Sequence, residues 1–281
     1  MQTLSRRQFL YGSATGVALA AMGLKASPLG MPIGCQTYPL RESIGKDFAG
    51  TLRQIAAGGY RMIEMCSPFS YGKNDFGRLA DLKATGIRQA IQEAGLGCVS
   101  CHFQFKELKE SLDDRIAFAK ELGLKQMIVS TFALRHDAPM ADWTQAAGEM
   151  NKLGEQTQKA GIQLGFHNHN FEFREIDGVL IYDELMKALD PTLVKMQFQV
   201  AVISLGYEAA TYLTKYPGRF ISLHLVDWSN DQKKIVAMGA GSIDWNKLFT
   251  AAKTGGIQNY FVEMDWDLMQ ASVPYLQKLN V

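Results

Sequence analysis

The segment IQLGFHNHNFEF, residues Ile162 to Phe173, sets His167, His169, Asn168, Asn170 and Glu172 among aliphatic and aromatic side chains. Its first half is short and apolar and follows Gly161, the pattern of a buried strand. Its second half carries metal-capable and hydrogen-bonding groups. A strand with an apolar body and a polar C-terminal end is what a β/α barrel requires, because the body fills the core while that end opens to the site. The reading holds if the rest of the chain supplies seven more such strands.

Upstream, PIGCQTY, YRMIEMC, CVSCHF and QMIVST read as strands. Each is followed by a helical pattern: DFAGTLRQIAAGG, GIRQAIQEAG, LKESLDDRIAFAKELG and DWTQAAGEMNKLGEQTQKAG. Downstream, LVKMQFQVAV, FISLHLVDW and NYFVEMDW read as strands. The patterns YDELMKAL, YEAATYLTKY and DWNKLFTAAKTGG lie between them, and a helix closes the chain. Strict β–α alternation implies a parallel sheet. Eight units imply closure into a (β/α)8 TIM barrel over residues 31–281. An open doubly wound sheet is the alternative, but the first strand–helix turn lacks G-x-G-x-x-G. The later GAG, Gly239 to Gly241, reads as a flexible loop over the site.

Residues 1–30 form a separate object, an export signal and linker. LSRRQFL holds the twin arginine Arg6–Arg7, a weakly apolar run YGSATGVALAAMGL follows, and small residues lie near Ala26. The run is too short and too interrupted by glycine for a transmembrane span. The expected location is periplasmic or extracytoplasmic, with the signal either cleaved or retained as a membrane tether. Without residues 1–26 the chain holds 26 basic against 28 acidic residues, a net charge of about −2. That balance argues against a nucleic-acid partner.

The four cysteines, Cys35, Cys66, Cys98 and Cys101, fall in strand-like runs. CVSCH matches a haem-attachment pattern and half of a zinc pattern. In an extended strand, however, Cys98 and Cys101 point to opposite faces with Cα atoms roughly 10 Å apart. Buried free thiols are the expected state.

Four of the five histidines sit at strand ends: His102 on the third, His167 and His169 on the fifth, His224 on the seventh. His167 and His169 share a face by alternation. Gln197 and Gln199 share a face on the sixth strand. Glu263 ends the eighth, where an unpaired carboxylate inside an apolar run would be costly. Glu64 and Glu172 read as substrate contacts or ordinary rim carboxylates. Imidazoles and a carboxylate converging from several strands suit a divalent transition metal.

Taken in order, IGCQTYPLR, GGYRMIEM, GFHNHNFEF, YPGRFISLHLVDW, MGAGSIDW and YFVEMDW resemble the xylose-isomerase-like barrel superfamily, in its sugar phosphate isomerase/epimerase branch. The resemblance implies a divalent ion (Mn, Co, Mg or Zn) on His167, Gln199, His224 and Glu263. Glu263 and His169 would be catalytic, and His102, Arg219, Asn168 and Gln197 would contact substrate. Two departures follow from it: Gln199 stands where the family usually has Asp, and Val226 replaces a Lys. Only Glu263 then remains of the family's two-base pair, so one-base isomerisation or elimination beside a carbonyl is expected in place of symmetric epimerisation. The expected partner is a small-molecule sugar, and the oligomeric state is left open, a homo-oligomer included. The rivals are a lyase or dehydratase acting on a keto-sugar or oxidised glycoside, a non-catalytic carbohydrate-binding barrel, and a structural subunit. The leader is directly testable. Changing Arg6 and Arg7 together to Lys should hold the folded protein in the cytoplasm on cell fractionation, and normal export of that variant would remove the twin-arginine reading.

Overall fold

The computed structural model describes residues 27–279 and 281, so the Arg6–Arg7 leader lies outside the described residues. Eight parallel strands close into a barrel: β1 Gly34–Gln36, β2 Met62–Cys66, β3 Gly97–Phe103, β4 Gln126–Val129, β5 Gln163–His167, β6 Val194–Gln199, β7 Phe220–Leu225 and β8 Asn259–Val262. Each strand pairs with its neighbours in sequence, and β8 returns to β1 through Gly34↔Phe261 and Cys35↔Val262. Closure leaves no edge strand in the barrel. The (β/α)8 architecture expected from the sequence is therefore the one observed.

The helices after the strands are α1 Phe48–Ala57, α2 Ala84–Glu93, α3 Phe105–Leu122, α4 Met140–Lys159, α5 Ile181–Ala188, α6 Ala209–Lys215, α7 Trp245–Gly255 and α8 Trp266–Leu276. Their apolar stripes pack on the outward faces of the strands, as Leu52 and Ile55 of α1 and Leu248 and Phe249 of α7 show. Several helices stop at glycines with positive φ, Gly123 after α3 and Gly256 after α7 among them, where a Cβ would be strained. Among the described residues, no helix is long and apolar enough to cross a membrane.

Inside the barrel, space is set by two glycines. A Cβ on Gly34 would lie 2.3 Å from the Tyr260 carbonyl oxygen and 2.6 Å from Phe261 Cδ1. A Cβ on Gly165 would lie 2.5 Å from Ile128 Cδ1. Phe261 and Ile128 are fully buried plugs below the mouth. Two β-bulges then aim the polar groups above them. In β2–β3 the register shifts between Ile63 and Glu64, so Glu64 faces Ser100; in β6–β7 it shifts at Met196/Gln197, so Gln197 faces Ser222. Bulges of this kind re-aim side chains next to active sites.

Cys98 and Cys101 lie within β3, and all four cysteines are free, with burial pushing the thiols up, that of Cys98 to about 12. The GAG segment differs from the sequence expectation. The buried Asp227 carboxylate accepts hydrogen bonds from the amides of Gly239 (2.8 Å) and Gly241 (3.2 Å) and from Trp245 Nε1 (2.9 Å). The loop is pinned, because glycine there serves close approach: a Cβ on Gly241 would lie 2.0 Å from Asp227 Oδ1.

Gly34→Ala should destabilise the barrel by about 1–3 kcal/mol in a urea titration, the usual cost of overpacking. An unchanged midpoint would show that both the Tyr260 backbone and the Phe261 ring can give way.

Candidate functional site

Glu64 is the hub. It sits in the middle of the apolar β2 sequence MIEMC and is completely buried. Its Oε1 accepts hydrogen bonds from Ser100 Oγ (2.5 Å) and Gln197 Nε2 (2.8 Å). Its Oε2 accepts from Gln36 Nε2 (2.7 Å) and His224 Nε2 (2.5 Å), with His102 Nε2 at 3.2 Å. Burial works to raise its pKa, but His102 and His224 overcome this and hold the carboxyl well below the usual carboxylate range.

His224 lies between two carboxylates. Nε2 donates to Glu64, and Nδ1 donates to Glu263 Oε2 at 2.9 Å. Burial disfavours its charge, yet Glu263 and Glu64 together push its pKa up to about 10, so without a bound ion the ring is an imidazolium at neutral pH, and an ion on Nδ1 would have to displace that proton. His102 stacks on it, rings 5.1 Å apart and 9° from parallel. His102 Nε2 donates to Gln197 Oε1 at 2.7 Å, and Gln197 Nε2 reaches Ser222 Oγ at 3.0 Å. Gln197 thus fixes both the position of His102 and its tautomer.

The rim is built by the polar half of the β5 segment. His167 ends β5, nearly fully buried, and its Nδ1 has no partner. Burial, then the neighbouring imidazoles of His224, His169 and His102, hold it neutral. His169 opens the 3-10 turn Asn170–Phe173, where its backbone N–H donates to Glu172 Oε2 at 2.7 Å. Burial lowers the His169 pKa to about 4, its Nδ1 is unpaired, and its ring stacks on Phe171 at 5.1 Å and 10°. Glu263, just past β8, exposes 21% of its side chain to the mouth. Its Oε2 also accepts from Gln199 Nε2 at 2.6 Å, and its Oε1 has no bonding partner within the described residues. Burial opposes its ionisation, but His224 keeps its pKa below the usual value.

Most of the residues named from the sequence meet here, with two differences. Arg219 stands before the first residue of β7, at the opposite end of the barrel, and its Nη1 donates to the Leu189 carbonyl; it does not reach the mouth. Asn168 is fully buried and its Oδ1 accepts the Gln199 backbone N–H at 3.1 Å, so it ties β5 to β6. Glu263 is also not the only carboxylate at the site. Glu64, with Gln36 and Ser100, completes the network, and the signal for it was a lone acid in an apolar strand.

A divalent ion fits this donor set. One ligand atom from each of His102, His167 and His224 lies within 4.8 Å of the others. The buried, unpartnered Nδ1 of His167 is a free donor. His224 Nδ1 and Glu263 Oε2 are 2.9 Å apart, close to the edge of about 3.0 Å between neighbouring ligands of an octahedral ion with 2.1 Å bonds.

Glu172 gives a pH prediction. It is fully buried, its Oε1 has no partner, and burial raises its pKa to about 8. The folded protein therefore holds a proton that the unfolded chain releases near the ordinary value of 4.5. Its contribution to stability is present below 4.5 and is lost as pH rises towards 8. Glu172→Gln should gain stability relative to the parent between pH 5 and 8 in denaturant titrations; a constant difference across that range would contradict a protonated Glu172.

Comparison with known proteins agrees with the barrel fold. An inosose dehydratase from Clostridium beijerinckii is 24% identical over 216 residues, 70% of this chain and 69% of its own length. A sugar phosphate isomerase/epimerase from Parabacteroides distasonis superposes with a TM-score of 0.74 at 24% identity, over 92% of this chain and 95% of its own. The IolI protein, solved with a bound zinc atom, superposes with a TM-score of 0.64 at 14% identity, over 89% of this chain and all of its own. The family model for the xylose isomerase-like TIM barrel matches residues 52–278, most of the barrel including β2 to β8, and the chain belongs to that family.

Proposed function

We propose that this chain is a metal-dependent enzyme that moves a proton beside the carbonyl of a sugar or sugar derivative, as a one-base isomerase. The observation that carries the reading is Glu263. It is a carboxylate of the network that reaches the mouth, with Oε2 committed to His224 and Gln199 and Oε1 left free. A general base must be ionised and accessible to a substrate, and Glu263 is held ionised with its side chain open to the mouth. Glu64 holds His224 from below and is too buried to touch substrate. His169, neutral at pH 7, is suited to donate an N–H to a carbonyl oxygen without giving up its proton, as neutral imidazoles do in other isomerases. His167, His224 and Glu263, with Gln199 beside them, would hold the ion, with the Nδ1 proton of His224 released on binding. A bound divalent ion supplies Lewis-acid polarisation of the carbonyl.

The names of the relatives support the same class, since they include a sugar phosphate isomerase/epimerase and an inosose dehydratase. Dehydration is the second reading, favoured by the curated relative. It needs an acid for the departing hydroxide, and His169 with its pKa near 4 is protonated too little at pH 7 for that role. The periplasmic or extracytoplasmic location implied by Arg6 and Arg7 belongs to the same proposal.

The metal-loaded protein, incubated in D2O with ketoses, aldoses, inososes and 3-keto-glycosides, should exchange one proton next to the carbonyl by NMR. Glu263→Gln should slow that exchange by roughly 10²–10⁴-fold, the usual contribution of a general base. Formation of an unsaturated product would favour the dehydratase, and binding without exchange would favour a carbohydrate-binding barrel. His167→Ala should lower the bound metal measured by mass spectrometry in protein shown by circular dichroism to be folded, with some loss of thermal midpoint from the cavity the ring leaves. Full metal content in that variant would take His167 out of the ligand set.

A further inference from the structure

The turn after β5, Asn170–Phe173, follows His169 directly and is anchored unevenly. At its far end Phe173 is sunk among Tyr182, Tyr207, Tyr212 and Phe198, with ring centroids 4.5, 4.7, 5.7 and 6.0 Å away. At its near end the His169 ring lies flat against Phe171, which is 36% exposed, and His169 Nδ1 has no partner. Between the two ends Glu172 reaches back three residues, and its Oε2 accepts the His169 backbone N–H at 2.7 Å, the reach-back arm of a capping box. The carboxyl that makes this bond is poorly provided for. Glu172 is fully buried and its Oε1 has no partner. Arg174, just past the turn, directs its guanidinium to the Phe171 carbonyl and to the His136 ring, each at 3.3 Å. From α5 comes Tyr182, fully buried with an unpartnered hydroxyl, and the same helix carries Asp183, Glu184 and Lys187. The 3-10 turn Val200–Leu205, packed on the other side, has no titratable side chain. Ionisation of Glu172 would strengthen its bond to the His169 amide. It would also leave a charge on Oε1 with neither water nor a hydrogen-bonded cation to receive it. Burial outweighs the amide bond, which is why the pKa rises to about 8. Water can relieve the charged form, and water reaches Oε1 only when the turn opens.

We infer that Glu172 is a positioning residue for His169: its neutral carboxyl fastens the turn that sets His169 and Phe171 at the mouth, and loss of its proton loosens that turn. The inference rests on the proton-transfer reading only for the use His169 makes of this position. The coupling between Glu172 and the turn stands without it.

Carbon-13 and nitrogen-15 NMR of the metal-free full chain between about pH 7 and 9 tests this, a window centred on the raised pKa of Glu172. The Glu172 carboxyl signal, the His169 ring signals and the Phe171 backbone signals should move together, half complete near pH 8 and about nine-tenths complete one pH unit higher. His167 and His169 stay neutral across the window, so their own titration does not supply the movement. Glu172→Gln keeps an acceptor for the His169 N–H and cannot ionise, so it should hold the His169 and Phe171 signals throughout at the positions the parent shows at pH 7. Glu172→Ala should displace them at every pH. A Glu172 carboxyl already ionised at pH 7, His169 signals that ignore its titration, or the same pH dependence in Glu172→Gln would each overturn the inference. If the signals move together but the metal-loaded protein exchanges no sugar proton, the proton-transfer reading fails and the positioning of His169 by Glu172 stands. If Glu172→Ala does not fold, the parent and Glu172→Gln decide.

Discussion

An ionised carboxylate with no exposure to water is the constraint on which the rest of this barrel depends. Transfer of a lone charge into a protein interior is prohibitive unless it is paired and hydrogen-bonded. Glu64 meets that requirement with donors from four other strands: Gln36 on β1, Ser100 on β3, Gln197 on β6 and His224 on β7. The network therefore fixes strand register as well as chemistry. Both β-bulges fall at its members, Glu64 and Gln197, and each places a serine hydroxyl opposite the side chain that needs it. Loss of any one donor would leave a buried charge short of a partner, which is why the polar layer and the barrel closure stand or fall together.

From that hub the site is layered by exposure. Glu64 is sealed, His224 and His102 lie above it, and His169 and Glu263 reach the mouth. Charge alternates along the same direction, carboxylate, imidazolium, carboxylate, so each group sets the ionisation of the next. Glu263 remains a base although burial disfavours its charge, because His224 beside it favours the ionised form. His167 and His169, which lack a carboxylate partner, go the other way and stay neutral. One small volume therefore offers a base, a neutral donor and free imidazole nitrogens.

Much of this was legible in the sequence. The eight alternations are local patterns, and the position of a residue at the end of its apolar run placed His102, His167, His224 and Glu263 at one rim. The same rule, applied strictly, would have placed Arg219 at the other end, since it precedes the apolar run FISLHL. What could not be read locally depends on distant partners. Glu64 in MIEMC gave no sign of whether it was sealed or exposed, because its donors lie 28 to 160 residues away. The GAG segment looked flexible because glycine is permissive, whereas its glycines admit the Asp227 carboxylate from 12 residues upstream. Asn168 looked like a rim group, and its partner is a backbone amide on the next strand.

The central claim is that His224 is an imidazolium braced by Glu64 and Glu263. Nitrogen-15 NMR of the histidine rings in the metal-free protein at pH 8 measures this directly. The account predicts that both ring nitrogens of His224 carry a proton at that pH while His167 and His169 are neutral. A neutral His224 ring at pH 8, with one bare nitrogen, would contradict it.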